Sequence, residues 1–203
     1  MSDEHPSNYG PPPAGCYVSP FSALFPSTFP PETDPNIVAC FQLADQDGSG
    51  FIDDKELHTA LTSCNESFSL RTVHLLMYLF TNSDTRKIGP MEFTSLFYSL
   101  QSLRAIFEKL DRDMSGKIDA NGMSEALLSQ GIALPPTVLE LLVTKFDTTQ
   151  GPIRTIDYEN FILCSLIVKG LTEKFKKYDS MHTGTATFTY GEFMFTVLPF
   201  LMA

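Results

Sequence analysis

Between Asp45 and Glu56 the chain reads DQDGSGFIDDKE, with oxygen-bearing side chains at alternate positions around two glycines. Six positions are spaced to surround one hard divalent cation. Asp45, Asp47 and Ser49 offer side-chain oxygens, Phe51 its backbone carbonyl, Asp53 a water-mediated contact, and Glu56 both carboxylate oxygens. Calcium takes about six to eight oxygen ligands, and this spacing supplies them from a single loop. Gly50 stands where the chain must turn sharply, a conformation that strains any side chain. Ile52 is expected to point into a core and to add a short strand. With five acids and one Lys, the loop carries a net −4 that a bound cation relieves.

A second stretch, DRDMSGKIDANG from Asp111 to Gly122, repeats the pattern with Asp111, Asp113, Ser115, the Lys117 carbonyl and Asp119. It ends on Gly122 where the bidentate Glu belongs, so two oxygens are missing. Weak calcium binding is expected there, or magnesium occupancy with water in the vacant positions. Three further loops are expected to be metal-free. TNSDTRKIGPME, from Thr81 to Glu92, has Thr81 for the first Asp and Arg86 for the glycine. DTTQGPIRTIDYEN, from Asp147, ends on Asn160 and is two residues too long. DSMHTGTATFTYGE, from Asp179 to Glu192, is equally long and has Met181 and Thr183 where acids would sit.

These loops begin at residues 45, 81, 111, 147 and 179, a repeat of 30–36 residues, each preceded and followed by helical apolar spacing. The chain thus reads as one helix–loop–helix unit used five times, an all-α fold. Phe93, Leu96, Phe97, Leu100, Leu103, Phe107 and Leu110 mark one long linking helix. Phe161, Cys164, Val168, Leu171, Phe175 and Tyr178 mark another. Since each loop exposes a strand edge, the first is expected to pair with the second and the third with the fourth. The fifth is left over, followed by the uncharged apolar end FMFTVLPFLMA. Dimerisation through this unit would bury that surface; the alternative is a tail folded back on its own domain.

Residues 1–35 hold nine of the 14 prolines and no Lys or Arg, and form an expected disordered tail; residues 36–203 form the folded domain. The net charge of −10 argues against nucleic acid, whose phosphates a binder must neutralise. The longest apolar run, Phe161 to Val168, is too short to span a membrane, and no cationic region precedes an apolar one near the amino end. A cytoplasmic protein is expected, with Cys16, Cys40, Cys64 and Cys164 as reduced thiols. Neither Cys164 nor His5, His58, His74 and His182 belongs to a nucleophile–base motif, so no enzyme activity is expected.

DQDGSGFIDDKEL, KLDRDMSGKID, the long linking helices and the extended fifth loop before an apolar end resemble the penta-EF-hand family of sorcin, grancalcin and peflin. SFSLRTVHLLMYLF and KIGPMEFTSLFYSLQ look most like plant members grouped with the calmodulin-like calcium-binding proteins. The resemblance implies calcium at the first and third loops, a homo- or heterodimer through the fifth, and calcium-dependent exposure of apolar surface to partner proteins, peptides or, reversibly, a membrane. Such a sensor would open a groove partly lined by Met77 and Met91. The rival reading is a constitutive scaffold dimer or regulatory subunit in which calcium only stabilises the fold.

Overall fold

The computed structural model describes residues 28–63, 68–81, 83, 85–147, 149, 151 and 153–202. Most of the proline-rich tail, with His5 and Cys16, lies outside the described residues, as does Cys64. Packing begins ahead of residue 36. Phe29 meets Phe41 edge-on at 5.3 Å, and the Asp34 carboxylate accepts the Asn36 N–H at 2.8 Å to cap α1 (Pro35–Ala44). A proline at the first helical position has its φ already set and no N–H to leave unpaired.

The remaining helices are α2 (Asp54–Ser63), α3 (Leu70–Thr81), α4 (Pro90–Leu110), α5 (Ala120–Ser129), α6 (Pro136–Phe146), α7 (Tyr158–Tyr178) and α8 (Tyr190–Met202). Two-stranded antiparallel sheets tie the loops in pairs, as expected. β1 (Ile52–Asp53) joins β2 (Lys87–Ile88) with Ile52 opposite Ile88, and β3 (Lys117–Asp119) joins β4 (Thr155–Asp157) with Ile118 opposite Ile156. All four isoleucines are buried, so each strand satisfies its backbone on one edge and feeds the core with one side chain. Among the described residues, the fifth loop forms no strand.

α4 and α7 are the two long linkers, and their apolar stripes face the core. Phe107 lies 5.2 Å from Phe161 and 5.1 Å from Tyr158, whose ring also stacks on Phe68 at 6.0 Å and carries Arg104 over its face at 5.3 Å. Beside it, the Glu159 carboxylate accepts the Ser69 backbone N–H at 2.6 Å and the Thr72 hydroxyl at 3.2 Å. The start of α7 therefore caps α3, fastening the fourth unit to the second. Cys164 is fully buried on the α7 stripe, where desolvation pushes its thiol well up and keeps it unreactive. Met77 is core and Met91 is exposed.

The carboxyl end folds back in part. Phe200 is buried, 5.9 Å from Tyr78 and packed over Gly170, which folds α8 back onto α3 and α7. Tyr190, Phe195, Leu201 and Met202 stay exposed on the rest of α8.

Candidate metal centre

The first loop is organised by Asp45. Its backbone closes α1 by donating to the Phe41 carbonyl, and its carboxylate accepts the N–H groups of Ser49 and Gly50, each at 2.9 Å. Those N–H groups converge because Gly48 (φ +67°) and Gly50 (φ +79°) adopt left-handed backbone, open to glycine without strain. Asp47 accepts the Ser49 N–H at 2.9 Å, and the Ser49 hydroxyl and N–H hold the Asp47 carboxyl below its ordinary 3.8. On the exit side, the Asp53 carboxylate accepts the N–H groups of Lys55 and Glu56 and so caps α2. Glu56 reaches back across the loop: Oε1 accepts from Gln46 N–H at 3.0 Å and Oε2 from Asp53 N–H at 2.9 Å.

The result is a carboxylate cluster. One oxygen from each of Asp45, Asp47 and Glu56 lies within 4.8 Å of the others, the one such three-carboxylate group among the described residues. Oxygens bound to one calcium at about 2.3–2.6 Å lie at most about 5 Å apart, so this spacing fits a shared hard cation. Ser49 Oγ and the Phe51 carbonyl, 2.9 Å from one another, border the same space. Sequence reasoning also placed Asp53 at this site, where it acts as the cap of α2.

The third loop repeats the entrance half. Asp111 accepts from Ser115 N–H at 2.9 Å and Gly116 N–H at 2.8 Å, and Asp113 from Ser115 N–H at 3.3 Å; Ser115 Oγ lies 3.4 Å from the Lys117 carbonyl. Met114 (φ +54°) and Gly116 (φ +73°) supply the left-handed backbone. Its exit half repeats the cap, Asp119 accepting Gly122 N–H at 2.8 Å at the start of α5, but no carboxylate folds back across the loop.

The fifth loop shares this entrance half, a likeness that its composition hides. Asp179 accepts from Thr183 N–H at 2.8 Å and Gly184 N–H at 2.7 Å, with left-handed backbone at His182 and Gly184. The two additional residues therefore fall after Gly184, between it and Glu192, which caps α8 by accepting from Thr189 at 2.8 Å. In the second loop, Thr81 Oγ1 replaces the carboxylate and donates to the Met77 carbonyl, while Arg86 keeps a left-handed φ of +49°. In the fourth, Asp147 accepts from Thr149 and Thr155, and Asn160 turns its amide onto Asp157.

Two groups of residues were not legible in the spacing. One is Glu159, beside the Asn160 that replaces the terminal loop acid, which reaches α3 instead. The other is Asp54, which joins the first unit to His74 and Arg86 of the second. Their partners are remote in sequence, and a local pattern carries no trace of them.

A family model described as EF hand matches residues 37–61 and 103–121, the first and third units. The chain is 67% identical over 183 residues to a calcium-binding protein CBP of Oryza sativa subsp. japonica, covering 90% of this chain and 63% of that protein. It is 40% identical to the probable calcium-binding protein CML48 of Arabidopsis thaliana (85% and 77% covered), and 31% identical to zebrafish peflin, Danio rerio (85% and 64%). Among the relatives most similar in sequence, the chain spans only 53–63% of their length. A solved homologue of programmed cell death 6 protein from Leishmania major Friedlin superposes with a TM-score of 0.61 at 30% identity, covering 81% of this chain and 93% of that one. The five repeated units, the paired loops and these relatives agree: the chain belongs to the penta-EF-hand family, close to its plant calmodulin-like members.

Proposed function

We propose that this chain is a calcium-responsive sensor or adaptor that binds Ca2+ chiefly through Asp45, Asp47, Ser49, the Phe51 carbonyl, Asp53 and Glu56. The observation that carries this reading is the convergence of Asp45, Asp47 and Glu56 within 4.8 Å of one another. The third loop, with Asp111, Asp113, Ser115, the Lys117 carbonyl and Asp119, binds calcium or magnesium more weakly because its terminal carboxylate is missing. Calcium binding and partner recruitment, without catalysis, is the activity we assign, in the cytoplasm. No helix among the described residues is long and apolar enough to cross a membrane.

Apolar surface for partners exists near both ends. A cavity of about 250 Å³ between α1, α2 and α4 is lined by Leu43, Leu57, Ala60, Phe93 and Phe97, directly behind the first loop. Displacement of α2 on calcium binding changes this surface first. A groove of about 860 Å³ runs between α6, α7, the fifth loop and α8. The exposed Phe195 and Tyr190 of the same helix α8, 84% and 80% accessible, favour a homo- or heterodimer through the fifth unit. Reversible membrane association is the other use of that surface.

Calorimetric titration of calcium into the chain, with Glu56→Gln as control, tests the reading. One site of about 10⁻⁷–10⁻⁵ M that Glu56→Gln abolishes supports a sensor run by the first loop. Binding only at millimolar calcium, together with a partner held equally well in chelator, supports the constitutive scaffold dimer instead.

A further inference from the structure

Asp54 opens α2 two residues before Glu56, but its carboxylate points away from the first loop. Oδ2 lies 3.0 Å from His74 Nε2 on α3 and 3.6 Å from an Arg86 guanidinium nitrogen in the second loop. A carboxylate only accepts, so His74 Nε2 carries the proton in this contact. His74 is held in place by its neighbours on α3, since Val73, Leu75 and Leu76 are all core residues. Arg86 occupies in the second loop the position that Gly50 occupies in the first, with the left-handed backbone retained. The turn of α2 that carries Glu56 is thus fastened, one residue after β1, to the helix and loop of the neighbouring unit.

We propose that His74 and Arg86 are positioning residues for the first calcium site: through Asp54 they hold the first turn of α2 so that Glu56 lies over Asp45 and Asp47. The arginine that disables the second loop as an ion site then serves the site of its neighbour. This inference rests on the reading of the first loop as a calcium site. Residues that orient ligands without touching the metal commonly set its affinity, because they remove reorganisation from the binding step. The idea has a distinctive sign. Acting only through their charge, Arg86 and a protonated His74 repel calcium, and deleting them tightens binding; acting as a clamp, they favour binding, and deleting them weakens it.

The test titrates calcium into the chain in an Asp111→Asn background, which silences the third loop, with Arg86→Gly, His74→Ala and His74→Gln compared with the unaltered first site. The clamp predicts affinity weakened about tenfold by His74→Ala and about twofold by the more exposed Arg86→Gly. His74→Gln, which keeps an N–H donor, recovers most of the loss. Because the Arg86 side chain is on the surface, its variant folds even if the His74 variants lose stability in chelator. Unchanged or tighter binding in Arg86→Gly and His74→Ala, with a normal parent site, overturns the clamp alone. A parent chain with no site in the micromolar range overturns the calcium reading, and the clamp with it.

Discussion

Gly170 and Phe200 are in such close contact that any side chain at residue 170 would displace its neighbours: a Cβ there would lie 2.6 Å from Phe200 Cε1 and 2.7 Å from Leu79 Cδ2. The missing side chain on α7 is the seat of α8. Gly170→Ala is therefore expected to cost about 1–3 kcal/mol through overpacking, although alanine is the better helix former. Thermal unfolding should show the loss, and limited proteolysis should show residues 190–202 cleaved sooner. A variant as stable and as resistant as the parent would mean that α8 repacks freely.

Glu159 makes a second such connection, in the first turn of α7. Removing it leaves the Ser69 N–H and the Thr72 hydroxyl without their partner at the start of α3. Glu159→Ala should destabilise the protein by about 1–2 kcal/mol, and Glu159→Gln by less, because one acceptor oxygen remains. Hydrogen exchange at the first turn of α3 reports the effect locally; unchanged protection there would show that Glu159 does not hold this turn.

Gly122→Glu restores the carboxylate that the third loop lacks. A Cβ at residue 122 lies 3.1 Å from Ile118 Cβ, a tight contact that must relax by a few tenths of an ångström. The first loop accommodates the same pair as Glu56 and Ile52, both within a folded strand-to-helix turn. The variant is expected to bring a second calcium site into the range of about 10⁻⁷–10⁻⁵ M. Calorimetry that still counts one site would place the defect outside residue 122.

Acid should loosen the metal-free protein. Hydrogen bonds from Ser49, Ser115, Thr149 and Thr183 hold Asp47, Asp113, Asp147 and Asp179 below the ordinary 3.8, and bonds from Thr189 hold Glu192 below 4.5. A carboxyl whose folded pKa is depressed contributes stability above its unfolded pKa and loses it as pH falls through the folded value. The thermal midpoint without metal should therefore drop as pH is lowered from about 5 towards 3. Asp179→Asn should flatten that slope; a slope unchanged by the variant would assign the acid sensitivity to other groups.

The repeat of five units, the pairing of loops and the carboxylate cluster of the first loop were all legible in the sequence. They depend on local spacing: a ligand set confined to residues 45–56, an isoleucine at a fixed offset, and an apolar period that marks helices on either side. That no carboxylate folds back across the third loop was legible for the same reason, in the single residue Gly122. The entrance half of the fifth loop was not, because backbone N–H groups build it around Asp179 and the neighbouring side chains do not reveal it. What tertiary structure alone decided are contacts between residues far apart in the chain. Asp54 meets His74, Glu159 caps a helix whose start lies 90 residues earlier, and Gly170 receives Phe200. Hydrophobic burial is non-directional, so an apolar stripe announces that a helix face will be covered but not by what. Which face of α8 is covered and which stays open is settled only when α3 and α7 have packed and left room for one phenylalanine.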